Sequence, residues 1–150
     1  MNLQVVTIAA VLLGAVPVAT APQCPRAEVV EVMPEASPET RPVTYRNGII
    51  HVSRVPLATL ADVVKVGFDA SWAIQLTFTP DVGERMERIT ARPNFPMAFV
   101  VDNDAVLSVV LEAGFGIGKQ GLQVSVDRDV ERIKEIHDAL SRCIAVRTAK

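Results

Sequence analysis

Two histidines, two cysteines, one Asp-Asn-Asp triplet and one glycine run are the groups in this chain with the most chemical potential. His51 and His137 are the only histidines, and neither has a second His, Cys or carboxylate at a recognised metal-ligand spacing. His137 falls between Ile133 and Leu140 on one helical face, so it reads as a partly buried structural histidine. Asp102-Asn103-Asp104 offers oxygens that suit a divalent cation, but a hairpin turn explains the triplet fully, because these side chains bond the local backbone. Gly114-Phe115-Gly116-Ile117-Gly118 resembles a phosphate loop only in composition. No helix follows directly to offer its N-terminal amides, and a bend or bulge between strands is expected. The serines are scattered without a Gly-x-Ser-x-Gly elbow, and Cys143 sits on a C-terminal helix without an assigned base. No catalytic, cofactor or metal site is therefore assigned, and a non-enzyme is expected. The alternative is a small periplasmic hydrolase or other enzyme whose site leaves no local motif.

The cysteines gain meaning from the N-terminus. The first twenty-three residues carry no Lys, Arg, Asp or Glu, and Val5 to Val18 is a nearly unbroken apolar stretch closed by Ala19-Thr20-Ala21. Residues 1–21 read as a secretory signal peptide with a small-x-small cleavage site. Pro22 is a poor residue just after a scissile bond. An uncleaved segment of about twenty apolar residues would suffice to cross a bilayer once, with Pro17 arguing against a regular spanning helix. A periplasmic or secreted location is expected, with an inner-membrane anchor as the alternative. In an oxidising compartment the only two cysteines, Cys24 and Cys143, are expected to form a disulfide, the alternative being two unpaired thiols.

A chain of 150 residues, 49% apolar and 21% charged, has the balance of one globular domain. Its 15 basic and 17 acidic residues form no run of one sign, so the footprint of a nucleic-acid binder is missing.

The elements that must position these groups are legible in the patterning. Residues 22–42 hold five prolines and read as a linker or extended arm, with at most a short strand at Ala27 to Met33. Val43 to Val52 predicts a β-hairpin around Asn47-Gly48. Leu57 to Val64 suits a short helix. Trp72, Ile74, Leu76 and Phe78 alternate with polar or small residues, which places them on the core face of a strand. Asp81 opens a helix with Val82, Met86 and Ile89 on its apolar face. Met97 to Val101 and Ala105 to Leu111 flank the Asp102-Asn103-Asp104 turn as a mid-sheet hairpin, with Phe99 and Leu107 in the core. Leu122, Val124 and Val126 supply a last strand. Asp127 caps a final helix that turns Val130, Ile133, Ile136 and Leu140 inward. Hairpins without repeated strand-helix-strand crossovers predict an α+β fold, a mostly antiparallel sheet with about two main helices on one face.

From Pro56 to Leu140 an ordered series of features resembles a known family. It comprises Leu60-Ala61-Asp62-Val63, the strand Ala73 to Thr79, a helix ending Arg88-Ile89-Thr90, and Met97 to Asp102 followed by Ala105-Val106-Leu107-Ser108. The glycine-rich Gly114 to Gly121 and the closing helix complete it. This is similar to the head part of the first periplasmic domain of SecD, a subunit of the bacterial protein-export translocon. The resemblance marks 43–145 as a head-like domain. Asn103 stands where the family usually has glycine after the turn Asp, and it tolerates the same left-handed geometry. The resemblance implies no catalytic residues. It implies a partner of protein or extended polypeptide in the envelope, since the family's periplasmic domain is thought to engage emerging chains. Coupling to a proton gradient belongs to the family's membrane helices, and this chain has at most one apolar segment.

Overall fold

The computed structural model describes residues 23–68, 73–111, 121–125 and 129–149. Along the chain lie β1 (Ala27–Met33), β2 (Thr40–Tyr45), β3 (Gly48–Ser53), β4 (Ala58–Thr59), a 3-10 turn (Leu60–Asp62), β5 (Val63–Phe68) and β6 (Ala73–Phe78). There follow α1 (Pro80–Thr90), β7 (Phe95–Val101), β8 (Asp104–Leu111), β9 (Leu122–Ser125) and α2 (Val130–Thr148). The fold is α+β, and its strand ladders are antiparallel except for one parallel bridge, Thr44 to Asp104. The strands divide into two sheets where the sequence suggested one: β3-β2-β8-β7-β1-β4, and β5-β6-β9.

The larger sheet curls back on itself. β1 gives its first five residues to β7, Ala27 opposite Val101 through Glu31 opposite Met97, and its last two to β3, Val32 opposite Val52 and Met33 opposite His51. Strands β1, β3, β2, β8 and β7 thus close a ring. Because side chains alternate along a strand, β1 and β7 are buried on both faces. Val30, Ala98 and Val100 point into the ring with Val43, Val52 and Ala105. Val29, Met97 and Phe99 point out of it into the main core, where Ile74, Leu76 and Phe78 of β6, Val82 and Met86 of α1, and Ile133, Ile136 and Leu140 of α2 meet them. Double burial explains why 95–101 reads as an almost unbroken apolar run.

Several sequence expectations are corrected. The short strand expected at Ala27 to Met33 is β1, but it is no part of a free arm, since it lies between β7 and β4 in the larger sheet. Leu57 to Val64 forms a two-residue strand, one 3-10 turn and the start of β5, since Val63, Lys65 and Val66 are drawn into pairing with β6. The β2–β3 turn is Arg46-Asn47, with Arg46 at φ 54° and Gly48 already paired to Tyr45. The cap of α2 is Asp129, whose Oδ1 accepts from the Arg132 amide at 3.0 Å. Leu76, Phe78 and Phe99 are core, and Leu107 is only partly buried. Trp72, Asp127, Gly114 to Gly118 and residues 1–21 lie outside the described residues.

Polar joints lock the elements. The Asp62 carboxylate accepts from the Thr59 amide at 2.8 Å and its hydroxyl at 3.0 Å, and the Asp62 carbonyl accepts from the Thr79 amide at 2.9 Å. The Arg147 guanidinium donates to the carbonyls of Leu60 and Ala61 at 3.0 and 2.9 Å and to that of Val63, pinning the end of α2 onto the 3-10 turn. At the start of α1 the Thr79 side chain bonds the Asp81 carboxyl, and with nearby amides and Arg85 it holds the group below its usual pKa. The ionised form is favoured, so that contribution is present above the ordinary Asp pKa and is lost as pH falls through the lowered one. Cys24 and Cys143 are disulfide-bonded with Cα atoms 5.7 Å apart, tying the chain ahead of β1 to α2.

Two outcomes are expected. Gly121 sits at φ +74°, where an added Cβ would lie 2.0 Å from the Leu76 carbonyl oxygen. Gly121→Ala should cost at least about 2 kcal/mol in denaturant unfolding, and an unchanged midpoint would contradict the β6–β9 packing. Denatured, unreduced protein should show no titratable thiol. Cys143→Ser should lose roughly 4 kcal/mol by loop entropy, given a bridge across 119 residues.

Candidate functional site

The ring closes at the Asp102-Asn103 turn. Both residues have positive φ, 50° and 81°, the geometry of a two-residue hairpin whose twist matches the flanking strands. Asp102 Oδ1 accepts from the Arg26 amide at 2.8 Å, and the Asp102 amide donates to the Arg26 carbonyl at 2.9 Å. Asn103 gives its carbonyl to the Thr44 amide at 3.1 Å and its side-chain oxygen to Arg41 at 3.2 Å. Arg41 and Arg26 both bond Glu28, whose side chain is 7% exposed. Asp104 turns away to meet Arg132 of α2 at 3.1 Å. The three side chains that suit a cation by type are each spent on a different protein partner.

Closure leaves one long strand edge open. β2 pairs with β8 only at Asp104, because the chain turns away at Arg46-Asn47 to build β3. Beyond that bridge Val106 bulges out of the ladder, and Leu107 to Leu111 pair with β7 on one side and with no strand on the other among the described residues. β9 approaches β8 but pairs with β6. The ladder gives the direction of the free groups. Pro96, opposite Val110, has no N–H, so it suits a pair that is not bonded across. The N–H and C=O of Val110, and of Ser108 two residues back, then point away from β7 to the open edge.

A groove of about 370 Å3 runs along this edge. Its floor is Val106, Leu107 and Val109; Tyr45 and Arg46 close one end, and Arg132 stands on the α2 side. Val110 beside it is 60% exposed. Arg132 is neutralised by Asp104, and Asp129 is spent capping α2. Arg46 lies over the Tyr45 ring at 5.2 Å and has no carboxylate partner among the described residues. That β8 would supply the open edge, with Arg46 at its end, is not legible in the sequence. Adjacent Val109 and Val110 break strict alternation, which is the trace they leave.

The histidines are not brought together. His51 lies in β3, opposite Met33 and Pro42. His137 on α2 bonds Asp138 Oδ1 through Nδ1 at 3.0 Å and Ser141 Oγ through Nε2 at 3.3 Å, with its ring 5.1 Å from that of Phe68. The order Asp-His-Ser is that of a hydrolytic relay, but all three lie within five residues of one helix, where i, i+4 contact is ordinary. Ser141 is in the helix interior, and its neighbouring amides are committed to helix bonds, so they offer no oxyanion donors. No group of three or more His, Cys, Asp or Glu among the described residues could hold a metal.

No protein-family model matches the sequence, and no curated protein matches it. Solved structures do. The one described as SecDF in a super-membrane-facing form aligns at TM-score 0.58 and 21% identity, over 80% of this chain and 19% of that one. The structure of SecDF described as a membrane component that enhances protein export aligns at TM-score 0.56 and 19% identity, over 80% of this chain and 63% of that one. The chain thus has a SecD-like head-domain fold and spans less than two thirds of either relative. No helix among the described residues is long and apolar enough to cross a membrane.

Since the contacts of His137 with Asp138 and Ser141 are local to an accessible helix face, replacing His137 and Ser141 together with Ala should shift stability by no more than about 1 kcal/mol. It should leave hydrolysis of activated esters at the level of the unaltered protein. A loss of turnover in that variant would bring the hydrolase reading forward.

Proposed function

We propose that this protein is a non-catalytic binding domain of the cell envelope that holds an extended polypeptide segment as an added strand on the open edge of β8. The observation that carries this reading is the edge of β8 that no strand pairs among the described residues. Ser108 and Val110 offer N–H and C=O groups in register, beside a groove with an apolar floor. An extended guest satisfies such groups with main-chain bonds, and its alternate side chains enter the groove. A guest strand advances residue for residue with its host, so the regular stretch Leu107 to Leu111 accepts about five guest residues. So short a ladder gives weak binding, of the order of 10 μM to 1 mM, which suits transient contact without turnover.

The SecD-like fold supports a role related to protein export, since one similar structure is described as enhancing that process. Residues 1–21 are proposed to direct the chain to the periplasm, and the Cys24–Cys143 bridge suits that compartment.

A labelled apolar pentapeptide with flanking polar residues should bind with the weak affinity stated. The same peptide N-methylated at the alternate amides that face β8 should bind at least about tenfold more weakly. Val110→Pro, which removes an edge donor while leaving the β7 ladder intact, should weaken the unmodified peptide similarly with the circular-dichroism spectrum unchanged. Equal binding of both peptides, or none of either, would end the edge-strand reading.

A further inference from the structure

Resting on that reading, we infer that the β8 edge selects chain direction: the guest strand runs antiparallel to β8 and brings a carboxylate to Arg46. The argument begins with where β2 leaves. Thr44 sits opposite Asp104 and the chain turns off at Arg46, so a guest on Leu107 to Leu111 lies end-on to Tyr45 and Arg46. An antiparallel guest presents its C-terminal end there; a parallel guest presents its N-terminal end.

The charge at that end is unbalanced in one sense. Of the two arginines lining the groove, Arg132 is matched by Asp104 at 3.1 Å, and the groove's one other carboxylate, Asp129, caps α2. Arg46 is exposed, lies over the Tyr45 ring, and meets no carboxylate among the described residues. An ammonium or a lysine brought to that end would be repelled, and an Asp, Glu or terminal carboxylate would be held by a guanidinium without a carboxylate partner among the described residues. Antiparallel pairing is also slightly the more stable ladder per residue, so hydrogen bonding and charge favour the same direction. The partner chemistry is therefore an extended apolar stretch followed, toward its C-terminus, by an acidic group.

The experiment uses three labelled peptides with one apolar core. One carries Asp after the core, one carries Asp before it, and one carries Lys after it, with both termini blocked. Fluorescence anisotropy on the whole protein should rank Asp-after tightest, about three- to tenfold over Lys-after, with the gap narrowing in high salt. Arg46→Glu should invert that order while the N-methylated peptide still binds weakly. If Asp-before binds best, or if Arg46→Glu leaves the ranking unchanged, the directional inference falls while the edge-strand reading stands. If none of the three binds, both fall.

Discussion

The turn Asp102-Asn103 is the joint on which the larger sheet closes, and the placement of the other parts follows from it. Two consecutive residues with positive φ are costly for ordinary side chains, and Asp and Asn bear the cost because they find local partners. Here those partners come from outside the hairpin. Arg26 ahead of β1 bonds Asp102 in both directions, and Thr44 and Arg41 of β2 bond Asn103. One turn thereby fixes β1 on one side of the β7–β8 hairpin and β2 on the other, although 76 residues separate Arg26 from Asp102.

The charges around this joint are retained at a cost. Glu28 is nearly buried and shared between Arg26 and Arg41, and the Arg41 Nε has no hydrogen-bond partner. Buried ion pairs seldom add net stability over apolar packing, but removing one partner strands a charge, at roughly 3–5 kcal/mol. The arrangement therefore specifies register more than it stabilises: Arg41 can meet both Glu28 and Asn103 only when β2 lies in one position against β8. That position ends the β2–β8 contact at a single bridge and leaves the rest of β8 uncovered. The same constraint that shuts the ring opens the edge.

Much of this was legible in the sequence where one period governed. Ile74, Leu76 and Phe78, the β7–β8 hairpin and the inward face of α2 follow from alternation or helical spacing, because each buries one face against one core. Reading failed where tertiary pairing overrode local signals. β1 could be read as a short strand among prolines, but not as a central one, because its burial comes from β7, roughly seventy residues on. Leu57 to Val64 suits a helix by local pattern, and nothing local announces that β6 will pair from Val63 onward. The Arg46-Asn47 turn departs from Asn-Gly by one residue because the β2–β3 register sets it, and the dipeptide alone does not. The open edge was the least legible feature, since an unpaired strand is defined by what does not lie beside it. The Cys24–Cys143 pairing was legible because the chain has only two cysteines and an oxidising compartment pairs them, so no choice of partner arises.

Backbone amide hydrogen exchange, with and without the apolar pentapeptide, tests the central claim most directly. The account predicts that the amides of Ser108 and Val110 exchange rapidly in the free protein and slow on peptide addition, while Val30 and Val100, already paired inside the ring, do not change. Protection that appears elsewhere and leaves Ser108 and Val110 untouched would contradict it.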